Sequence, residues 1–253
     1  MAADLWRTIG ASVAFAWRGA PGFEAHLTPT GWLILTGEPV ADLNMIFVDD
    51  GPDPEGQLHA FGEVLRHRAL PALVLLSDPI ADRLVTPATA LGLQLSGHVP
   101  LMVHRPVGED APSTAVDRFR VEVVTDTTAL GEACQLAAEA FALPLAVIAR
   151  VLSPAILDTP GVTIFLAREG DQPVSTVMAM QVGSMVGLWT MATLTARQRQ
   201  GAGRAVLTHA LTHHRTRGAD LFYLLATEAG KPLYEQVGFQ TLAEATVWVS
   251  TPP

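Results

Sequence analysis

The sequence has one cysteine, Cys134, in 253 residues. One thiol cannot close an internal disulfide, and without a cysteine cluster there is no thiolate zinc site; no metal is expected. Basic residues are scarce too: 16 Lys and Arg against 25 Asp and Glu leave a formal net charge of -9. A surface that neutralises nucleic-acid phosphates needs a basic patch, so no nucleic-acid partner is expected. The acidic balance suits a cationic ligand such as an amine, and it suits plain solubility as well. The start, Met-Ala-Ala-Asp-Leu-Trp-Arg, lacks the basic segment and apolar run of a secretory leader. The longest apolar runs are broken by Asp, Arg or Pro well short of a bilayer's width. No membrane partner is expected, and the expected location is the cytoplasm.

What the chain does have is core material. Apolar residues make up 49%, enough for one large domain or two small ones, and no stretch has a disordered composition. Cys134 falls on the apolar face of a helix and reads as a small core residue.

The most informative stretch is 189–204, Trp-Thr-Met-Ala-Thr-Leu-Thr-Ala-Arg-Gln-Arg-Gln-Gly-Ala-Gly-Arg. It reads as a strand (Leu188 to Thr193), a glycine turn (Gln198 to Gly203), and a helix that stops at Gly218, a residue suited to a left-handed cap. Gly201 and Gly203 let a backbone approach a ligand closely. The first helix amides have no intrahelical partner, and Arg199 and Arg204 stand nearby, so the turn is a candidate phosphate or pyrophosphate site. A P-loop is excluded, because no Gly-x-x-x-x-Gly-Lys-Ser/Thr is present. A dinucleotide fingerprint is excluded because Val206 stands at its third glycine. Gln198-Arg-Gln-Gly201-Ala-Gly203 fits the remaining pattern, Gln/Arg-x-x-Gly-x-Gly/Ala.

That turn resembles the acetyl-CoA turn of the Gcn5-related N-acetyltransferases (GNAT). Downstream, Leu233-Tyr234-Glu-Gln-Val-Gly238-Phe239 resembles the family's Leu-Tyr-x-x-x-Gly-Phe ending. The two motifs come in the family's order, one helix and one strand apart. The resemblance is strong over 119–250 and weak over 1–105. It implies an α/β (α+β) fold: a mixed, mostly antiparallel twisted sheet flanked by helices.

Read in order, residues 4–17 suggest a helix with Leu5, Ile9, Val13 and Trp17 on one face. Strands follow at 23–27, 31–36 and 43–48, then a helix at 55–68, a strand at 72–76, a helix at 80–91 and a strand at 93–104. This order mirrors the second half and implies a degenerate GNAT-like copy over 1–105. Its turn, Asp49-Asp50-Gly-Pro-Asp53-Pro-Glu55, sets four carboxylates where a pyrophosphate needs amides, and two prolines remove donors. Asp42, Asn44, Asp49 and Asp50 could face a substrate cleft or form a solvated loop. Residues 106–118 read as a linker. The catalytic domain is expected over 119–253, with a strand at 119–124, helices at 127–141 and 144–152, strands at 162–168, 174–182 and 186–193, the glycine turn and its helix, a strand at 221–225, the Tyr234 helix, and a last strand at 239–249. Leu130, Ala133, Cys134, Ala137 and Phe141 form the core stripe of the first of these helices. Family members usually end in two strands, whereas only 15 residues follow Gly238 here, enough for one long strand or a very tight pair.

The resemblance assigns roles. Main-chain atoms of Met191 and Thr193 would pair with pantetheine, an amide near Ala192 or Thr193 would bind the thioester oxygen, and the turn Gln198, Arg199, Gln200, Gly201, Ala202, Gly203 and Arg204 would hold the pyrophosphate. Tyr234 would be the general acid. No base is assigned: Glu228 could serve or merely start a helix, Glu169 reads as a solvated hairpin tip, and His214 as a packed residue. Thr227 and Glu228 replace the family's frequent cofactor-holding Asn. The expected activity is acetyl transfer from acetyl-CoA to a primary amine, on a small molecule or a protein, by direct attack in a ternary complex. The alternative is a non-catalytic acyl-CoA-binding or interaction protein on the same fold.

Overall fold

A computed structural model describes residues 2–106 and 118–250. The linker expected at 106–118 lies almost wholly outside these residues. The chain folds into two compact units. One runs from the N-terminal residues through Leu101 and takes in Leu225–Thr227 and the strand from Thr241 on; the other holds Met102–Leu224 and Glu228–Gln240.

The first unit opens with α1 (Ala2–Trp17), whose buried face carries Leu5, Ile9, Val13 and Trp17 at helical spacing. Trp6, on the same helix, stacks on Phe47 with ring centroids 4.2 Å apart. Strands β1 (Glu24–Thr28), β2 (Gly31–Leu35) and β3 (Asn44–Val48) run antiparallel in turn. Helix α2 (Pro54–Arg68) then crosses to β4 (Ala72–Ser77), which pairs parallel with β3. The helix expected at 80–91 is broken into α3 (Asp78–Ala81), a 3-10 turn (Asp82–Leu84) and α4 (Val85–Ala90). Pro87 has no N–H to give the carbonyl four residues back, so it is accommodated in the first turn of a restarted helix. Strand β5 (Gln94–His104) follows.

Asn44 lies in no cleft. It is fully buried, accepting from the Thr36 amide at 3.0 Å and donating to the carbonyls of Glu38, Val40 and Pro71 at 2.7–3.0 Å. Its side chain bonds main-chain groups of the β2–β3 connection and the Pro71 carbonyl before β4, which is why a polar residue can occupy the core.

The second unit is built from β6 (Arg120–Val123), α5 (Thr127–Ala140), α6 (Leu145–Val151), β7 (Val162–Glu169), β8 (Gln172–Val182), β9 (Met185–Thr193), α7 (Ala202–Arg215), β10 (Leu221–Leu225) and α8 (Lys231–Val237). Asp126 caps α5 by accepting from the amides of Thr128 and Ala129. Leu130, Ala133, Cys134 and Ala137 line the core as expected, but Phe141 caps the helix and is exposed. Strands β6 to β9 pair antiparallel in sequence, and α7 crosses to β10, parallel to β9. The order β7–β8–β9–α7–β10 repeats that of β1–β2–β3–α2–β4. This is the mixed, mostly antiparallel sheet flanked by helices that the sequence implied.

After α8 the chain forms one long strand, β11 (Gln240–Ser250), which pairs antiparallel with β4 from Ala245↔Ser77 to Ser250↔Ala72. The end of the chain therefore completes the first unit's sheet. Trp248 joins that unit's core with Leu76 and Leu84.

Candidate active site

The site grows from how β9 meets its neighbours. On one side β9 pairs with β10 only at Met185↔Leu221, Val186↔Phe222 and Gly187↔Tyr223. Beyond Gly187 the strands part, so Leu188 to Thr193 run on with no β10 partner. On the other side the register slips: Thr176 faces Ala192, yet Met178 faces Trp189. Two steps on β8 match three on β9, which is a bulge of one residue. Thr190, inside it, has φ +49°, a costly backbone for a β-branched residue.

The ladder also decides which main-chain groups are free. Leu194 donates to Val174 O at 3.1 Å. Antiparallel alternation then turns the Ala192 amide toward β8 and the Thr193 amide away from it. Of the two oxyanion candidates, Thr193 is the one facing the open side. Ser175 fixes this end of the strand: its hydroxyl donates to Ala192 O at 2.8 Å and lies 2.8 Å from Thr193 Oγ1.

The turn after β9 is a 3-10 helix (Thr195–Arg197) running into α7. Gly201, at φ +97°, is the N-cap and supplies no side-chain bond. The first intrahelical bond on α7 is Ala205 N to Gly201 O at 2.9 Å, which leaves the amides of Ala202, Gly203 and Arg204 without a partner inside the helix, with Ala202 itself buried. Gly203 brings this helix start against the strand end. A Cβ there would stand 3.2 Å from Thr193 Oγ1 and 3.4 Å from both Met191 Cε and Leu233 Cδ2. The structure thus gathers Met191, Thr193, Gly203 and Leu233 of α8, the residue before Tyr234.

Arg199 is exposed at φ +57°. Arg204 is exposed and donates to Gln236 Oε1. Gln198 and Gln200 are engaged within the turn: Gln198 Nε2 donates to Thr193 O at 3.4 Å, and Gln200 Nε2 to Ala196 O at 2.9 Å. A brace that the sequence did not reveal holds the turn. Arg118 donates to Glu169 at 2.6 Å and to Gln200 at 2.9 Å, and Arg197 pairs with Glu169 at 3.4 Å. Glu169 is therefore an ion-paired anchor and not a solvated tip. The Arg118 hydrogen bond, more than any other contact, holds its carboxyl below the usual range.

Tyr234 is buried, with its ring edge-on to Phe239 at 5.9 Å. Burial pushes its phenol up to about 12, so it keeps its proton at neutral pH. His209, His213 and His214 all turn onto Phe165, with centroids 5.0–5.9 Å away. Burial lowers all three, His214 to about 4. They are packing groups. Glu228 is exposed in the turn before α8. Cys134 is buried, and its thiol is pushed up to about 11. Among the described residues no group of three or more His, Cys, Asp or Glu is placed to hold a metal ion, and no helix is long and apolar enough to cross a membrane.

Residues 160–241, from the start of β7 to the start of β11, match the family model for the acetyltransferase (GNAT) domain. The chain carries a GNAT acetyltransferase domain. Its activity class is acyl transfer, and the matched span contains the β9 bulge, the glycine turn and Tyr234. No curated relative matches the chain significantly. Solved GNAT structures share its fold along nearly the whole length. A GCN5-related N-acetyltransferase from Kribbella flavida is 17% identical with a TM-score of 0.68, covering 97% of this chain and 95% of that one. One from Sphaerobacter thermophilus is 12% identical with a TM-score of 0.65, covering 97% and 91%. The fold of both units thus recurs in single chains of similar length. Gly187 and Ser175 escaped the sequence reading. A glycine inside a strand pattern was the available signal for the first, because it marks a bulge or a close approach.

Proposed function

We propose that this GNAT protein transfers an acetyl group from acetyl-CoA to a primary amine, in a ternary complex and without an acyl-enzyme. The observation that carries the reading is the parting of β9 from β10 beside the uncapped start of α7. It offers an extended backbone with free hydrogen-bonding groups next to three free amides and a helix dipole. Pantetheine is an amide-bearing chain and pyrophosphate an anion, so the two halves of coenzyme A match the two halves of this surface.

In this reading the main chain of Met191 and Thr193 pairs with pantetheine, and the amides of Ala202, Gly203 and Arg204, with the Gln198–Gly201 turn, hold the pyrophosphate. The Thr193 amide stabilises the thioester oxygen as charge builds, a contribution of roughly 3 kcal/mol for such a donor. The amine nitrogen bonds to the thioester carbon and the C–S bond breaks. Tyr234 protonates the departing thiolate, and water takes the proton lost by the amine. A thiol as buried as Cys134 does not carry the acyl group. The first unit is read as a degenerate copy. Its β3 and β4 pair through Val48↔Leu76, so no slot opens, and Asp53 occupies the α2 start by accepting from Gly56 N at 2.9 Å. The acceptor class, small molecule or protein amine, is left to a substrate screen, and the cytoplasm is the proposed location.

Calorimetric titration with acetyl-CoA and with dephosphorylated pantetheine tests the reading. One acetyl-CoA site per chain, far weaker for pantetheine and abolished in Gly203→Glu, is expected. Equal binding by wild type and Gly203→Glu would move the cofactor off this turn and sink the proposal.

A further inference from the structure

A cavity of about 370 Å³ lies within the first unit, a size suited to a small molecule. It sits where β3 and β4 end. Asp49 follows the last residue of β3, Ser77 is the last residue of β4, and Asp78 begins α3; Glu244 of β11 and Trp6 of α1 complete the wall. In strand order this is the counterpart of the place where β9 and β10 part, with carboxylates in place of amides.

Three features define its chemistry. First, Asp49, Asp78 and Glu244 line it, no basic side chain does, and none of the three carboxylates forms an ion pair among the described residues. Second, Ser77 is 3% exposed and its hydroxyl is buried without a hydrogen-bond partner. Ser77 is the N-cap of α3, where a serine hydroxyl ordinarily accepts a helix amide, yet it makes no such bond. A buried hydroxyl left this way is unfavourable unless something meets it. Third, the carboxylates are not grouped closely enough to chelate a metal ion. The lining is thus three spread carboxylates and a serine set among small apolar residues and Trp6.

We infer that this cavity binds a small organic cation bearing primary ammonium groups on an aliphatic chain. An ammonium has three donors and no acceptor, the complement of carboxylates and a serine oxygen. Spaced ammonium groups match carboxylates that a point ion cannot bridge, and the chain between them lies against Trp6. The inference does not rest on the acyl-transfer reading, since nothing in the cavity involves coenzyme A.

The test is calorimetric titration of the full chain, without coenzyme A, at low salt. The probes are 1,4-diaminobutane, spermidine, 1,4-butanediol as the neutral control, and magnesium chloride. One saturable site for the amines and none for the diol is expected. Affinity should fall at least tenfold in Asp49→Asn with Asp78→Asn, and several-fold in Ser77→Ala, a small change that leaves the fold intact. Tyr234→Phe should bind as wild type. The inference is overturned by no saturable amine binding, by magnesium binding in preference to the amines, or by affinity unchanged in the cavity variants. It is also overturned if Asp171→Asn, on the exposed β7–β8 hairpin, weakens binding as much, because the charge would then act only in bulk.

Discussion

Gly187 lies opposite Tyr223 in the last pair of the β9–β10 ladder, and a Cβ on Gly187 would stand 2.8 Å from the Tyr223 hydroxyl and 2.6 Å from Trp189 Nε1. The strands part at the point where two aromatic side chains fill the space that a side chain at 187 would need. Gly187→Ala must push Tyr223 or Trp189 aside. It should cost about 1–3 kcal/mol of stability, as overpacking does, and weaken acetyl-CoA binding severalfold by shifting the mouth of the slot. Urea unfolding and calorimetry on the same variant measure both. Wild-type stability would show that the aromatic rings yield freely.

Tyr234→Phe removes one oxygen and keeps the ring that packs on Phe239. With an accepted amine, kcat should fall on the order of 10²-fold while KM for acetyl-CoA changes little. Because the phenol is raised to about 12, the wild type should show no alkaline loss of kcat from this group up to about pH 11. A kcat within twofold of wild type in Tyr234→Phe would remove the tyrosine from the chemistry.

Asp53 is the N-cap of α2, with Pro54 following. Asp53→Ala should destabilise the protein by about 1 kcal/mol through loss of the cap. Acetyl-CoA stoichiometry should remain one per chain, because β3 and β4 still leave no gap. A second site appearing in this variant would show that the carboxylate alone had kept the cofactor out.

His214 gives stability a pH dependence of known sign. Its Nδ1 bonds Gln181 Oε1 at 2.9 Å, its Nε2 is buried unpartnered, and burial, with His213 and Arg217 nearby, lowers its pKa to about 4. The unfolded chain, with a histidine near 6.5, binds more protons between those values. This contribution is complete above pH 6.5 and is lost as pH falls toward 4, on the order of 3 kcal/mol in total. Urea melts across that range should show the decline, and His214→Asn should flatten its slope whatever its own stability. An unchanged slope would assign the decline to other groups.

Much of the candidate-site stretch was legible because its causes are local. The apolar run 221–225 is a strand, Gly170-Asp171 turns the β7–β8 hairpin, and Gly218 takes the left-handed conformation that ends α7 at φ +89°. Helix amides left open by Gly201 follow from chain geometry alone. Periodicity placed Cys134 and His214 inside, because a helix stripe needs only its own spacing. Phe141 broke that rule because α5 ends before the stripe does.

The sequence by itself determined the two motifs, the acidic turn at the start of α2, and the alternation of strands and helices, all fixed by neighbours a few residues apart. Only the tertiary structure decided the rest. Strand β11 closes on β4, with Ser250 Oγ accepting from Ala72 N across 178 residues, and β9 leaves β10 after three pairs. Asn44 is enclosed by carbonyls from two separate segments, Glu169 is gripped by Arg118 and Arg197, and Ser77 is buried with its hydroxyl unmet. Each depends on which distant segment covers a polar group or extends a ladder, and no local pattern encodes that partner.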